Sequence, residues 1–185
     1  MGELLNRAVV FATEAHKEQF RKGTQIPYIL HPIEAAAIVG TLTTDEEIIA
    51  GAALHDVVED TDTTVEDVVR LFGERVGSLV ASESENKRED LPAESTWKIR
   101  TQETLDHLKL ASLGVKMIAL GDKLSNMRAI YRDYQTVGEE LWQRFNQKDK
   151  NEHYWYYSSI AKCIPELSDY PVYKEYCELL EKTFK

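Results

Sequence analysis

Apolar residues recur at intervals of three and four along nearly every long segment of this chain. The two clearest examples are Leu4, Leu5, Ala8, Val9, Ala12 and Ala15, and then Ile48, Ile49, Ala52, Ala53 and Val57. This spacing is typical of an amphipathic α-helix. The run from Val115 to Leu120 is apolar enough for a buried strand, but helical spacing continues beyond it and favours one long helix. The pattern predicts an all-α fold of about eight to ten helices.

Helix starts and breaks are also visible in the pattern. Threonine three residues before glutamate is a capping-box signature, in which each side chain bonds an otherwise unpaired amide. The signature occurs at Thr44 with Glu47, Thr63 with Glu66, and Thr136 with Glu139. Pro32 and Pro171 fit first-turn positions, where a helix tolerates proline. The polar stretch 82–96 is predicted to be a mobile loop or the tip of a helical hairpin.

Length and composition indicate an ordinary soluble globular protein. The chain has 185 residues, 43% of them hydrophobic and 29% charged, which suits a core without disulfides. We expect a single domain over 1–185, with the candidate chemistry in about 5–135 and further helices over about 136–185. No apolar run approaches the roughly 20 residues of a membrane span, and no signal peptide is recognised. Cys163 and Cys177 lack CxxC spacing, so a reducing cytoplasm is the expected location.

The net charge of −10 bears on possible partners. With 32 acidic and 22 basic residues, and no cluster of lysine and arginine, the chain would repel the backbone of DNA or RNA. Extended nucleic acid is therefore not an expected partner. A small anionic ligand is compatible with this charge, because a bound divalent cation dominates the potential inside a cleft. The sequence leaves the oligomeric state open.

The segment ALHDVVED carries four ionisable side chains. His55 and Glu59 are four residues apart, as are Asp56 and Asp60, so on one continuous helix they form neighbouring stripes on one side. Such a concentration of charge is costly to bury without a cation. The alternative is a solvated acidic face with a histidine in the core behind it.

Two further residues, His31 and Asp122, complete a candidate set of metal ligands. Asp122 follows the apolar run VKMIAL, where periodicity places the protein interior, and His31 stands between YIL and Pro32. Simpler interpretations are an ion pair of Asp122 with Lys123 or Lys116, and a capping or surface role for His31. Two imidazoles with two carboxylates suit Mn²⁺, Fe²⁺ or a similar ion, and they indicate hydrolysis of a phosphorylated compound.

These residues, in the order H…HD…D, resemble the HD-domain superfamily of metal-dependent phosphohydrolases. Within it the chain is most similar to the hydrolase part of the RelA/SpoT-homologue enzymes, especially the free-standing small alarmone hydrolases of the Mesh1 type. The matching segments are RKGTQIPYILHP, AALHDVVEDTDTT followed by FGERV, the STWKIRTQETLDHL region, and LGDKLSNMR. The resemblance covers about residues 5–135 and implies a single all-α HD-domain bundle.

The resemblance also implies a role for each matching residue. The protein ligands of one Mn²⁺ per chain would be His31, His55, Asp56 and Asp122. By its chemistry this ligand set would also accept Fe²⁺, Co²⁺ or Ni²⁺. Glu59 and Asp60 match a catalytic pair that positions and deprotonates the attacking water. The substrate-binding residues would be Arg21 and Lys22 at the nucleobase and phosphates, Asn126 at the ribose, and Lys98 and Arg100 near the pyrophosphate.

The implied reaction removes the 3′-pyrophosphate from guanosine 3′,5′-bis-pyrophosphate, (p)ppGpp, and releases GDP or GTP and pyrophosphate. Two positions depart from the family pattern: Gly121 stands where alanine is common, and Ala129 where the bifunctional enzymes often carry a hydroxyl. Alternative substrates are an adenine alarmone of the pppApp type, NADPH for a 2′-phosphatase, or another nucleotide. A non-enzymatic alternative is a nucleotide-binding module with a structural metal, although a sensor has no need of Glu59 and Asp60.

Overall fold

The structure is a computed structural model that describes residues 2–83 and 93–185. Within these ranges the chain forms ten α-helices and two 3-10 helices. The α-helices are α1 (Glu3–Ala15), α2 (Leu30–Val39), α3 (Glu46–Leu54), α4 (Val57–Asp60), α5 (Val65–Phe72), α6 (Glu74–Glu83), α7 (Ala93–Leu110), α8 (Leu113–Val137), α9 (Lys150–Cys163) and α10 (Pro171–Phe184). The 3-10 helices are Gly138–Arg144 and Pro165–Leu167. The described part of the chain contains no strand beyond an isolated bridge, which confirms the predicted all-α class.

Two helices begin one residue later than the capping-box pattern predicts. The N-cap of α5 is Thr64, whose hydroxyl and amide form a complete capping box with Asp67. The N-cap of α3 is Asp45, which accepts from an amide in the first turn. Aspartate and threonine both serve as caps, so neighbouring candidates compete and a pattern alone does not choose between them. The start predicted at Thr136 is wrong, because this residue lies in the last turn of α8, whereas Pro171 opens α10 as predicted.

The segment ALHDVVED does not form one continuous helix. α3 ends at Leu54, a turn contains His55 and Asp56, and α4 begins at Val57. The predicted stripes on a single helix are therefore wrong in detail, although both turn residues keep right-handed helical backbone angles. Adjacent side chains on a regular helix diverge by about 100°. Here the two adjacent side chains meet, with His55 Nε2 only 3.1 Å from Asp56 Oδ2.

Internal contacts divide the chain into two compact units. The first comprises Met1–Ser84 and Ser112–Ser125, and the second comprises Glu85–Ala111 and Asn126–Lys185. The prediction of one domain over 1–185 stays a prediction. The run from Val115 to Leu120 lies within α8, as the helical spacing predicted.

Each unit has its own buried apolar core. In the first unit, α3 packs against α1, α2 and α6, and α5 packs against α6. Fully buried side chains of this core are Ala8, Ala35, Val39, Leu54, Val57, Val76 and Ile118. In the second unit, α9 packs against α7 and α10. Its buried side chains include Ile160, Leu167 and Tyr176.

Two predictions concern segments at the edges of what the structure describes. Residues 82–83 lie in α6 and residues 93–96 lie in α7, while the rest of the loop predicted at 82–96 lies outside the described residues. None of the helices at 2–83 and 93–185 combines the length and the apolar character that crossing a membrane requires.

Candidate metal centre

Three segments of the first unit bring the four predicted metal ligands together. His31 lies in α2, His55 and Asp56 in the turn between α3 and α4, and Asp122 in α8. Nε2 of His31 lies 3.4 Å from Asp56 Oδ2 and 3.2 Å from Asp122 Oδ1. Nε2 of His55 lies 3.1 Å from Asp56 Oδ2 and 3.8 Å from Asp122 Oδ1. Both imidazoles therefore face both carboxylates.

The His55 ring is held in one tautomer by the backbone. Its Nδ1 lies 2.8 Å from the carbonyl oxygen of Ala52, to which it donates, so in the neutral ring Nε2 carries the lone pair. That Nε2 is buried and has no hydrogen-bond partner among the described residues, although Asp56 lies close to it. A buried lone pair that faces carboxylates is unfavourable unless a proton or a metal ion lies between them. The orphaned nitrogen therefore fits a metal site.

The electrostatics of the cluster favour a positive charge among its members. Burial alone would lower the pKa of the His55 imidazole, but Asp56 and Asp122 outweigh burial and raise that pKa well above its usual value. Burial lowers the pKa of His31, and the same two carboxylates offset only part of this effect. Burial would raise the pKa of Asp122, but the Lys123 ammonium and both imidazoles hold it well below its usual value. Ionised carboxylates at this position attract a cation.

The chemistry of the donors also fits a metal ion. Ligand atoms of His31, His55 and Asp122 all lie within 4.8 Å of one another, close enough to hold one ion. Nitrogen and oxygen donors in this mixture suit Mn²⁺, Fe²⁺ and similar ions. The simpler interpretation of Asp122, an ion pair with Lys123, is also observed. Lys123 contacts Oδ2 of this carboxylate, while Oδ1 faces the histidines. His31 is 4% exposed, which excludes a surface role. Mn²⁺ as the ion, and one ion per chain, stay predictions.

Tyr28 belongs to this cluster, and the sequence analysis did not select it. Its hydroxyl lies 2.7 Å from Asp56 Oδ2 and 3.1 Å from Asp60 Oδ2, so it can donate to either carboxylate. Burial and the nearby carboxylates raise the pKa of Tyr28 far above its usual value, which keeps the hydroxyl protonated. A signal was available, because Tyr28 precedes His31 by three residues in the PYILHP segment. Its contact with α4 depends on tertiary packing, which the local pattern does not show.

The predicted catalytic pair, Glu59 and Asp60, forms the end of α4. Glu59 is half-buried, and Asp60 is exposed. Asp60 is held at two points, because Gln19 Nε2 donates to its backbone carbonyl at 2.6 Å while Tyr28 reaches its carboxylate. The end of α4 is therefore held beside the predicted metal ligand Asp56. The catalytic roles of the pair stay predictions.

Glu83, the last residue of α6, is a further acidic group that the sequence analysis did not select. Burial raises the pKa of Glu83 to about 7, with Asp122 and Asp56 adding to the rise and Lys123 and His55 opposing it. The carboxyl group of Glu83 therefore lies in the electrostatic surroundings of the ligand cluster. Its place in the polar run ASES concealed it, since such runs usually lie in solvent.

Two of the predicted substrate-binding residues lie in the same unit as the cluster. The guanidinium carbon of Arg21 lies 5.7 Å from the centre of the Tyr28 ring, a cation–π arrangement. Because the Tyr28 hydroxyl contacts Asp56, this ring connects Arg21 with the ligand cluster. Lys22 is exposed at the next position.

The other three predicted substrate-binding residues belong to the second unit. Lys98 forms an ion pair with Glu152, and its ammonium lies 3.3 Å from the centre of the Trp155 ring. Arg100 makes a long hydrogen bond of 3.3 Å to a threonine hydroxyl on its own helix. Asn126 is half-buried in α8. Substrate binding by these three residues stays a prediction.

Comparison with known proteins gives this cluster a context. A family model described as HD domain matches residues 8–149. This chain belongs to the HD-domain family. A relative from Danio rerio, named guanosine-3′,5′-bis(diphosphate) 3′-pyrophosphohydrolase MESH1, is 38% identical over 133 residues, which cover 70% of each protein. The predicted resemblance to Mesh1-type HD hydrolases is confirmed.

Some relatives are much longer than this chain and match it over a small part of their own length. GTP pyrophosphokinase rsh from Brucella melitensis biotype 1 is 38% identical over 130 residues, which cover 69% of this chain but 17% of that protein. A solved structure described as a metazoan orthologue of SpoT that hydrolyses ppGpp matches with a TM-score of 0.77 at 24% identity. The match covers 97% of this HD-family chain and 95% of the solved one, which shows that the two share a fold.

Proposed function

We propose that this chain is a Mn²⁺-dependent hydrolase that removes the 3′-pyrophosphate from guanosine 3′,5′-bis-pyrophosphate or its pentaphosphate analogue. The observation that carries the proposal is the facing arrangement of two imidazoles and two carboxylates, with Tyr28 linking Asp56 to Asp60. The Danio rerio relative, whose match covers the same share of both proteins, is named for this activity. The substrate would be a small nucleotide, in keeping with the acidic charge of the chain.

His31, His55, Asp56 and Asp122 would hold the ion. A divalent ion at this position supplies charge neutralisation for the phosphoryl group and lowers the pKa of water. Glu59 and Asp60 would orient the attacking water and accept its proton, because they lie one helical turn after His55 and Asp56. The water oxygen bonds to the phosphorus next to the ribose, the bond to the 3′ oxygen breaks, and that oxygen leaves with a proton. The products are pyrophosphate and GDP or GTP.

Arg21 and Lys22 would bind the nucleotide beside the cluster. Arginine suits both phosphate and a flat base, because its planar guanidinium makes paired hydrogen bonds and also stacks. The Tyr28 ring under Arg21 would keep that guanidinium near the reacting phosphate. Asn126 at the ribose, and Lys98 and Arg100 near the pyrophosphate, complete the proposed binding set. Lys98 would have to exchange its ion pair with Glu152 for the substrate.

The test incubates the purified, Mn²⁺-loaded chain separately with ppGpp, pppGpp, pppApp and NADPH, and identifies the products. We expect pyrophosphate with GDP or GTP from the first two substrates, and no release after the metal has been removed by a chelator. Release of phosphate from NADPH alone, or of pyrophosphate from pppApp alone, would replace the guanine alarmone as substrate. Calorimetric binding of ppGpp without turnover would instead indicate a nucleotide-binding module.

A further inference from the structure

The two histidines of the metal centre are held by different kinds of partner. His55 donates from Nδ1 to the backbone carbonyl of Ala52. His31 Nδ1 instead lies 2.9 Å from the hydroxyl oxygen of Ser125, which in turn donates to Glu34 Oε2 at 2.8 Å. The imidazole and the hydroxyl are both buried, since His31 is 4% and Ser125 2% exposed. Neither Ser125 nor Glu34 was selected from the sequence.

The number of protons available to the hydrogen-bonded residues His31, Ser125 and Glu34 determines the His31 tautomer. A serine hydroxyl has a single proton, and Ser125 gives it to the Glu34 carboxylate, which can only accept. The contact between Ser125 and His31 therefore requires the proton to be on Nδ1 of the ring. Nε2 is left with its lone pair, and this is the atom that lies 3.2 Å from Asp122 and 3.4 Å from Asp56.

Helical spacing explains how the residues come into reach. On α2, Glu34 follows His31 by three residues, and on α8, Ser125 follows Asp122 by three. Residues three apart lie on the same face of a helix, one turn along. Each helix thus contributes one ligand and, one turn later, one member of the hydrogen-bonded chain. The same pair of faces that brings His31 to Asp122 also brings Ser125 to Glu34.

We propose that Glu34 and Ser125 are positioning residues, which prepare His31 to bind the metal by keeping its proton on Nδ1. The inference rests on the metal site of the proposed function. Without Glu34, the Ser125 hydroxyl is released to donate to Nδ1, and the ring proton moves to Nε2, where it blocks coordination. Without Ser125, the protonated Nδ1 is buried without this acceptor and the ring loses its orientation.

The first measurement is the affinity for Mn²⁺ alone, by equilibrium dialysis of the full chain. We expect Ser125→Ala and Glu34→Ala each to weaken binding by about 10–100-fold, as is usual for partners of metal-binding histidines. Ser125→Thr keeps a hydroxyl and should restore affinity. Ser78→Ala and Glu66→Ala change exposed residues of the same types and should bind as the parent does. Binding of Mn²⁺ by Ser125→Ala and Glu34→Ala as tightly as by the parent would overturn the inference.

A second measurement reads the tautomer directly and needs no metal. Long-range ¹⁵N–¹H NMR of the metal-free chain in mildly alkaline buffer should show a proton on His31 Nδ1 in the parent and none on that atom in Glu34→Ala. A parent whose His31 Nδ1 carries no proton would overturn the inference, whether or not metal binds. A parent that takes up no Mn²⁺ yet shows the Nδ1 proton would instead overturn the proposed function.

Discussion

Gly121 on α8 lies directly against Ala35 on α2. A Cβ atom at position 121 would come within 2.8 Å of the Ala35 carbonyl oxygen and of a Val39 methyl group. Real Cβ atoms do not approach a backbone oxygen so closely, so the two helices are in contact only because residue 121 has no side chain. The neighbouring residue, Asp122, reaches His31 across this contact. Gly121 therefore sets the spacing of two candidate ligands.

Gly121→Ala should destabilise the protein in spite of the better helix propensity of alanine. Alanine gains about 1 kcal/mol over glycine within a helix, whereas overpacking costs about 1–3 kcal/mol and here meets backbone, which cannot rotate away. We expect a net loss of unfolding free energy and weaker Mn²⁺ binding, measured by urea unfolding and dialysis. Gly40→Ala is the control, because a Cβ there has ordinary contacts. Equal stability of Gly121→Ala and the parent would contradict the proposed close contact.

His55→Ala and Asp56→Ala should each abolish Mn²⁺ binding and hydrolysis together. Each variant removes one of the four facing donor groups, and the remaining groups no longer form the complete set of proposed ligands. The measurements are metal content after dialysis and release of pyrophosphate. His107→Ala changes an exposed histidine and should behave as the parent. Full activity in either site variant would mean that the four residues do not form the catalytic centre.

Glu59→Gln should bind Mn²⁺ and unfold as the parent does, yet turn over far more slowly. Amide replaces carboxylate at nearly the same size, but it cannot accept the proton of the attacking water, a role worth about 10²–10⁴-fold in rate. Steady-state hydrolysis and metal content, measured on the same preparation, separate the two effects. Glu66→Gln, on an exposed site of α5, is the matched control. A rate equal to that of the parent would assign water activation to another group.

Tyr28→Phe should lower the turnover number while leaving the ring, and its contact with Arg21, in place. Hydrogen bonds to charged groups contribute about 1.5–3 kcal/mol, equivalent to about 10–100-fold in rate if the whole bond supports the transition state. Loss of the hydroxyl would release the Asp60 carboxylate from its position beside Asp56. We expect the change in kcat rather than KM. Tyr173→Phe removes a hydroxyl that donates to a backbone carbonyl in the second unit, and it should leave kcat unchanged.

The metal-free protein should lose stability as the pH rises from about 4.5 to about 7, in part because of Glu83. Burial raises the pKa of Glu83 from 4.5 to about 7. A carboxyl group whose pKa is higher in the folded state contributes stability below its unfolded pKa, and this contribution is lost as the pH rises through the folded value. Glu83→Gln should therefore gain stability relative to the parent over this interval.

Thermal unfolding in the presence of a chelator, across this pH interval, measures the effect. Lys123 and His55 favour the ionised form of Glu83, and Asp122 and Asp56 oppose it, so only the difference between variant and parent is diagnostic. Glu74→Gln, at the exposed start of the same helix, is the control. A constant difference between Glu83→Gln and the parent at all pH values would mean that the Glu83 pKa is not raised.

Much of this architecture is encoded locally and was accessible from the sequence. The helical class and the long α8 follow from apolar spacing, because each helix buries a continuous stripe. The grouping of His31, His55, Asp56 and Asp122 follows from residue types that are too polar for their apolar surroundings. Such residues need partners when they are buried.

The supporting residues were not accessible, because they depend on the approach of helices distant in sequence. The Tyr28 hydroxyl contacts Asp60 of α4, and the Ser125 hydroxyl donates to Glu34 where α2 and α8 are in contact. Glu34 and Ser125 are ordinary residues on ordinary helices until that contact forms. The break at His55 was also missed, since its backbone angles stay helical and no glycine or proline marks the turn.

That break makes the length of the segment ALHDVVED as important as its composition. α4 is a single turn of helix that follows the candidate ligands His55 and Asp56 directly and is held at its other end by Gln19 and Tyr28 on Asp60. One inserted residue would rotate everything after it by about 100°, and would turn the carboxylates of Glu59 and Asp60 away from the candidate metal ligands. Exchanges of Val57 or Val58 for similar apolar residues keep this register. An insertion or deletion between Asp56 and Glu59 destroys this register, whichever residue is inserted or removed.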